Sequence, residues 1–296
     1  MIVMTCILLA AAVAGLFLIR SSHERKQLRV EKYNIDNIHS PESGLRIAFI
    51  SDVHDRLTTS GIEEIAAAVR AEKPDVVILG GDIITFNRKK GLICDTRLAA
   101  ELIEKLSAAG PVFYAEGNHE LKFKKDSPSE YEAFTLECKS KGALLLSDSR
   151  LTYKGIDFYC AALGQEYYRK MLPGIRGKHR MPQSYLIKKL GMPDMGKMNV
   201  LLMHSPMYLK EAGEWGADLV LSGHFHGGTI RLPLLGGLMT PQFQFFVKEC
   251  AGVHKEKNCT MIVNRGIGTH SVKLRINDLP ELSIIDIRKS DGRADI

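Results

Sequence analysis

The chain has few cysteines, and they are not spaced as metal-binding or disulfide-forming pairs usually are. Six cysteines occur in 296 residues, and no two of them form a Cys-x-x-Cys pair. This spacing excludes a small domain held together by a disulfide framework. We therefore expect reduced and mostly buried thiols, which favours a reducing compartment.

The sequence also lacks a dense basic tract, an internal repeat of fixed period and a low-complexity segment. The formal net charge of +6 fits anionic partners such as phosphates or a membrane surface, but no local run of charge predicts nucleic-acid binding. A chain of this length can bury a full core. The only domain boundary that we predict lies near residue 30.

The first nineteen residues contain no charged side chain and are almost wholly apolar. This length is close to the roughly 20 residues that cross a bilayer as a helix. Basic residues follow the stretch and none precedes it, which is atypical of a signal peptide and retains the following chain in the cytoplasm; they are Arg20, Arg25, Lys26 and Arg29. We predict an uncleaved anchor over residues 1–29 and a cytoplasmic domain over residues 30–296 at the cell membrane. Export after cleavage and a buried core helix are the alternatives.

Apolar runs typical of buried strands recur along the chain and are separated by segments of helical spacing. Strands are predicted at 45–50, 75–79, 111–115, 199–203 and 218–221, with helices at 61–72 and 95–108. The spacing fits strand-helix-strand units. Late strands at 259–264, 273–276 and 282–287 are expected to complete a second sheet.

Metal-ligand side chains follow five of these strands. They are Asp52 and His54, Asp82, Asn118 and His119, His204, and His224 and His226. Because α/β sheets bind ligands outside the carboxyl ends of their strands, we expect these side chains to converge. Carboxylates, an amide and imidazoles without a thiolate suit Mn, Fe or Zn. So many ligands suit two ions about 3.5–4 Å apart, which clamp the attacking and leaving oxygens of a phosphoryl displacement.

Five motif blocks, each after a strand and in this order, resemble those of the calcineurin-like metallophosphoesterase family. They are Asp52-x-His54, Gly81-Asp82, Gly117-Asn118-His119-Glu120, His204 and Gly223-His224-x-His226. The anchor and the stretches 231–233 and 264–268 are most similar to its bacterial membrane-associated branch, with YkuE- and YaeI-type proteins and certain UDP-2,3-diacylglucosamine pyrophosphatases. The resemblance implies a four-layer α/β/β/α sandwich, preceded here by one transmembrane helix.

The resemblance also implies a role for each motif residue. The first metal would be held by Asp52, His54 and His226, the second by Asn118, His204 and His224, and Asp82 would bridge the two. His119 would contact the phosphoryl oxygen and protonate the leaving group. Glu120 would orient His119 from behind.

The predicted function is a phosphoester hydrolase that uses hydroxide generated on its two divalent metals, Mn, Fe or Zn. We expect a phosphodiesterase or pyrophosphatase. Its substrate is expected to be a phosphorylated small molecule or lipid, of a lipid-linked or nucleotide-linked kind. The alternatives are a phosphomonoesterase, a protein Ser/Thr phosphatase, and a scaffold that keeps the fold without catalysis.

Two long segments lack a clear period. Residues 165–183 are predicted to form a surface loop or lid, whose basic residues are either solvated or clamp a phosphate or headgroup. Residues 233–257 are apolar and rich in phenylalanine, and they either cover the core or contact acyl chains or a bilayer.

Overall fold

The computed structural model of the chain describes residues 2–87, 92–93, 95–170, 179–269 and 272–290. Its helices are α1 (Ile2–Glu24), α2 (Thr59–Glu72), α3 (Thr96–Ser107), α4 (Asn118–Asp126), α5 (Pro128–Ser140), α6 (Ser184–Leu190) and α7 (Leu209–Trp215). Its strands are β1 (Arg29–Asn37), β2 (Leu45–Ile50), β3 (Val76–Leu79), β4 (Phe86–Asn87), β5 (Leu92–Ile93), β6 (Val112–Ala115), β7 (Ala143–Leu146), β8 (Ser149–Tyr153), β9 (Ile156–Cys160), β10 (Asn199–Leu202), β11 (Leu219–Ser222), β12 (Arg231–Leu232), β13 (Gly236–Met239), β14 (Phe245–Val247), β15 (Gly252–Glu256), β16 (Cys259–Val263) and β17 (Glu281–Lys289).

Two six-stranded sheets face each other, and helices cover their outer faces. The strand order is β1-β17-β2-β3-β6-β7 in the first sheet and β15-β16-β11-β10-β9-β8 in the second. One hydrophobic cluster lies between the sheets, a second under α2, α3 and α5, and a third under α6 and α7. The predicted four-layer α/β/β/α sandwich is therefore confirmed.

Strand β2 shows why the central strands are apolar on both faces. Because successive side chains of a strand point to opposite faces, Ile47 and Phe49 pack between the sheets while Ala48 and Ile50 pack under the helices. All four are fully buried. The adjacent β3 and β6 run parallel to β2, so the carboxyl ends of the three strands lie at one edge.

Two predictions for the late strands are wrong. The last strand, β17, lies in the first sheet, between β1 and β2, and does not extend the second. Its alternate residues Ile284 and Ile285 pack into different clusters; a strand that is apolar on both faces fits the interior of either sheet. Residues 273–276 form no strand, and only Ile276 makes an isolated bridge, to Ile230.

The two long segments also differ from the simplest expectation. Tyr167 and Met181 are buried in the third cluster, so the described parts of residues 165–183 are not merely a surface loop; residues 171–178 of the predicted lid lie outside the described residues. The segment 233–257 contains β13 and β14, which form a small sheet with β12 just before the segment. It covers the core with buried residues such as Cys250 but leaves Leu234 exposed.

Helix α1 is long and apolar enough to span a membrane. Its apolar stretch is 0% buried, so the alternative of a buried core helix is excluded. The end of the helix touches the rest of the chain, and in its last turn Ser21 and Glu24 are buried.

Candidate metal centre

The predicted ligand residues meet at the shared edge of the two sheets. Their donor atoms form three groups within which all atoms lie within 4.8 Å of one another; these are Asp52, His54 and His226, then His54, Asp82 and His119, then Asp82, His204 and His224. All of these residues are buried. Strands β2, β3 and β6 bring residues from the first sheet, and β10 and β11 bring residues from the second.

The backbone is left-handed at five of these residues. The φ angles are 51° at Asp52, 43° at His54, 52° at Asp82, 68° at His224 and 46° at His226. Non-glycine residues rarely adopt this region, and each costs about 1–3 kcal/mol. Each turn lies directly after a strand, where the sheets over-determine the backbone. This concentration of strain marks the sheet edge as a functional site.

The two carboxylates are each held by one oxygen and present the other. Asp52 Oδ2 accepts hydrogen bonds from Ser51 Oγ at 2.6 Å and His224 N at 3.0 Å. Asp52 Oδ1 accepts none from the described residues and lies 3.2 Å from His226 Nε2. Asp82 Oδ1 accepts from His119 N at 2.8 Å, while Oδ2 lies 3.3 Å from His204 Nε2.

Three histidine rings are oriented through Nδ1. His204 Nδ1 donates to the carbonyl of Gly80 at 2.8 Å, so its Nε2 faces the carboxylates. His226 Nδ1 lies 3.3 Å from the carbonyl of Gly268, and His54 Nδ1 lies 2.9 Å from the hydroxyl of Thr85. Such contacts fix the tautomer and ring angle of metal-binding histidines.

The amide of Asn118 provides a test of whether the site fits a cation. Its Oδ1 lies 3.2 Å from Asp82 Oδ2 and 2.9 Å from His224 Nδ1, so that it faces only hydrogen-bond acceptors. Rotating the amide by 180° would relieve the repulsion, and so would a cation bound among the three atoms. Together with Asp52 Oδ1, these atoms form an oxygen and nitrogen donor set that fits two divalent ions.

His119 lies at the start of α4 with its ring held by the main chain of Phe86. Its Nδ1 lies 2.9 Å from the amide nitrogen of Phe86 and 3.0 Å from the carbonyl oxygen of the same residue. One group donates and the other accepts, so the ring keeps a partner whether or not Nδ1 carries a proton. Its Nε2 lies 4.0 Å from Asp82 Oδ2. This arrangement suits a side chain that gives up and regains a proton.

The role of Glu120 in orienting His119 stays a prediction, and the described hydrogen bonds of its carboxylate lead to other groups. The carboxylate accepts hydrogen bonds from Tyr114 Oη and from four main-chain amides at 2.8–3.3 Å: Asp82, Ile83, Ile84 and Gly117. A buried carboxylate suits this place because several converging N–H groups need an acceptor. Glu120 therefore fixes the turn that carries Asp82.

Two glycines allow these turns to approach the carboxylates. A Cβ added to Gly117 would lie 2.3 Å from Asp82 Oδ1, and one added to Gly223 would lie 2.4 Å from Asp52 Oδ2. The backbone of Gly117 is extended, with φ of −93°. Close approach rather than conformation is thus the reason for glycine at position 117.

The electrostatics of the centre reflect close packing of opposite charges. Burial opposes ionisation of Asp82, yet His204, His119 and His54 hold the pKa of its carboxyl well below the usual value. Burial lowers the pKa of His204, but Asp82 and Asp52 outweigh it and raise that pKa to about 10. Burial raises the pKa of Glu120, and the charge of Asp82 raises it further.

A largely apolar cavity of about 250 Å³ adjoins the metal centre. His226 forms part of its wall, and Met239, Phe243 and Leu274 supply apolar surface. The exposed Lys170 also lines it, with Nζ 4.4 Å from the centre of the Phe243 ring. This wall offers mainly apolar surface beside a residue of the metal centre.

Sequence reasoning missed the residues that position the ligands. Thr85 and Phe86 carry no motif, and they act on the histidines partly through the main chain. Tyr168 lies edge-on to His224, with ring centroids 5.0 Å apart, in a segment without periodicity. The only signal for Asn264 was its place in the glycine-rich stretch 264–268; its Oδ1 accepts from Gly266 N at 2.7 Å, close to Asp52.

Known proteins are similar to this chain in sequence, in structure or in both. A model described as Calcineurin-like phosphoesterase matches residues 45–228. The uncharacterized metallophosphoesterase YkuE of Bacillus subtilis is 26% identical over 261 residues, covering 84% of this chain and 80% of YkuE. Phosphodiesterase YaeI of Escherichia coli is 24% identical over 249 residues, covering 82% of each chain. A dimetal phosphatase from Danio rerio has a TM-score of 0.42 and 13% identity, covering 75% of this chain and 88% of its own.

Proposed function

The chain belongs to the calcineurin-like phosphoesterase family, and we propose that it is a membrane-anchored, two-metal phosphodiesterase or pyrophosphatase whose substrate joins the scissile phosphate to a lipid. The apolar cavity that shares His226 with the metal centre carries the lipid part of this proposal. An acyl chain gains about 25 cal/mol for each Å² of apolar surface buried against such a wall.

The proposed assignment of ligands to two metals follows the resemblance, and the donors that face one another support it. Asp52, His54 and His226 would hold the first ion, and Asn118, His204 and His224 the second. Asp82 Oδ2 would bridge them, since it lies 3.8 Å from His54 Nε2 and 3.3 Å from His204 Nε2. When bound, two such ions lower the pKa of a water and neutralise charge on the phosphoryl oxygens. Mn, Fe and Zn all suit the donors.

His119 would donate the proton that the leaving oxygen needs. Departure of an alkoxide from a phosphodiester is slow without protonation, and a positioned imidazole contributes about 10²–10⁴-fold to such a step. The paired contacts of Nδ1 with Phe86 would keep the ring aligned before and after the transfer.

The chain would be held at the cell membrane by α1, with the catalytic domain from about residue 30 on the cytoplasmic side. The basic residues after the apolar stretch support this orientation. Protease added to intact cells should spare the domain, and its digestion would exclude a cytoplasmic location.

Substrates with and without acyl chains test the proposal. The panel contains p-nitrophenyl phosphate, bis-p-nitrophenyl phosphate, a phosphopeptide, UDP-glucosamine and UDP-2,3-diacylglucosamine, with Mn, Fe and Zn added in turn. The diacyl substrate should be turned over with a much higher kcat/KM than its deacylated counterpart. Faster turnover of the phosphopeptide or of the monoester would instead support the corresponding phosphatase. Full metal loading without turnover of any diester would support a non-catalytic scaffold.

Phe243→Ala separates the cavity from the chemistry. It should lower kcat/KM for the diacyl substrate by about 30-fold, since burying one aromatic side chain against an acyl chain is worth about 2 kcal/mol. Turnover of bis-p-nitrophenyl phosphate, which has no acyl chain, provides the comparison. Phe246→Ala, on the nearby β14 and outside the cavity wall, is the matched control. Equal losses on both substrates would contradict an acyl-binding role.

A further inference from the structure

The tip of the β12–β13 hairpin exposes two leucines. Leu234 is 99% exposed and Leu235 is 53% exposed, and neither packs into a hydrophobic cluster of the described residues. Leu234 also has a φ of 67°, a conformation that glycine adopts without strain and leucine does not. Folding stability therefore does not account for a leucine at this position.

The base of this hairpin is linked to the end of α1 through the side chain of Asn277. The guanidinium of Arg20 donates to the side chain of Asn277. Asn277 Nδ2 in turn donates to the carbonyl of Arg231 at 3.1 Å, and Arg231 N donates to the carbonyl of Ile276 at 2.9 Å. A second contact joins the same loop to the helix, from Arg275 N to Ser21 Oγ at 2.9 Å.

If α1 spans a bilayer, these contacts would set the height of the hairpin relative to it. Arg20 is the first charged residue after the apolar stretch, so it marks the level at which α1 leaves the hydrocarbon. One side chain, that of Asn277, separates Arg20 from the hairpin strand. Apolar side chains of interfacial segments enter the headgroup region by about 5–10 Å. A hairpin whose base lies at this level has its tip within reach of that layer when the turn faces the bilayer.

The charges around the hairpin match an anionic lipid surface. The exposed Lys248 lies with Leu234 and Asn277 around one surface depression. Arg20, which is paired with Glu24, is exposed near the end of α1, and Lys26 is exposed two residues after the helix. Basic side chains at the membrane surface are attracted to anionic lipids.

We propose that Leu234 and Leu235 insert into an anionic bilayer surface beside α1 and form a second membrane contact. This proposal rests on the membrane anchoring proposed above. Leu274 and Arg275 line the cavity next to His226, and Arg275 binds the end of α1. The same contact therefore brings the cavity to the lipid surface.

Fluorescence quenching by brominated lipids tests the contact in the full chain. The Leu234→Trp chain is reconstituted in vesicles of phosphatidylcholine and phosphatidylglycerol that carry bromine near the headgroup end of the acyl chains. Leu144→Trp is the matched control; Leu144 is 49% exposed on β7, at the edge of the first sheet opposite β1. The wild-type chain gives the contribution of Trp215, which is buried. Flotation of the vesicles reports anchoring separately.

We expect the Leu234→Trp signal to lose most of its intensity and the Leu144→Trp signal to be unchanged. The loss of Leu234→Trp fluorescence should be smaller in vesicles of phosphatidylcholine alone. An equal loss in both kinds of vesicle would overturn the role of the basic residues. A chain that floats with the vesicles while Leu234→Trp stays unquenched overturns the hairpin contact and leaves the anchor standing. Equal quenching of both variants also overturns the hairpin contact, because contact with the lipid would then not be confined to the hairpin. A chain that does not float overturns the anchor and the hairpin contact together.

Discussion

Replacing Gly117 with alanine tests whether the Asp82 carboxylate must keep its present position. The backbone at Gly117 has a φ of −93°, which alanine adopts freely, so the substitution introduces no backbone strain. The added Cβ would lie 2.3 Å from Asp82 Oδ1 and 2.4 Å from Asp82 N. Both atoms belong to a turn that Glu120 holds through main-chain hydrogen bonds, so the turn cannot yield at one atom alone.

The structure sets the size of the expected effect. To restore a separation of about 3.0 Å, Asp82 and Gly117 must move apart by roughly 0.7 Å. Misplacement of about 1 Å costs on the order of 100-fold in rate, equivalent to about 2.7 kcal/mol of transition-state stabilisation. We therefore expect kcat to fall by about 100-fold, and metal content to fall because Asp82 faces donors of both ions.

The assay is turnover of bis-p-nitrophenyl phosphate at saturating Mn, with metal content measured by mass spectrometry. Gly196→Ala is the control, because its added Cβ would meet only the Asp194 side chain, at 3.3 Å, in an exposed loop. The control should keep both rate and metal. If Gly117→Ala keeps wild-type kcat and two metals per chain, the reasoning about close approach is refuted.

Three further predictions concern the same centre. His119→Ala should retain both metals and lose about 10²–10⁴-fold in kcat, because only the proton donor is removed; a fully active variant would contradict that role. Without metal, the raised pKa of about 10 keeps His204 protonated at neutral pH. Metal affinity should therefore rise about tenfold per pH unit up to about pH 10 and then level off, as one proton is displaced. Titration calorimetry in two buffers would detect the released proton, and a pH-independent affinity would exclude it. Glu120→Gln should lower stability by about 3 kcal/mol, because an amide places a donor against main-chain donors; thermal unfolding should show a midpoint lower by about 6–12 °C, and an unchanged midpoint would contradict its structural role.

The sequence was sufficient for the parts of the fold and site that depend on local pattern. Strand β2 and the Asp52 turn after it are an apolar run followed by polar ligands, which one sequence can reveal. The same holds for the turn at His224. The left-handed backbone of these turns was not predictable, since aspartate and histidine adopt it only where surrounding structure imposes it.

Other features depend on distant contacts and left no local signal. The place of β17 in the first sheet follows from pairing with β1 and β2, whereas its apolar pattern suits either sheet. Phe86 positions His119 through main-chain atoms, which are the same in every residue type except proline. Helix α4 begins at Asn118, inside a motif that we interpreted as metal ligands. For this reason the helix was not predicted.

The left-handed turns also determine how the donor atoms are arranged before a metal ion binds. Aspartate and histidine have only two side-chain torsions, so where the backbone is fixed the donors are already arranged before a cation arrives, and little disorder remains to be lost on binding. The strain of that arrangement is borne by the two sheets. A substitution deep in either sheet that lets one turn relax would therefore weaken the hold on metal while the chain still folds, and a search for important residues limited to the surroundings of the ions would overlook it.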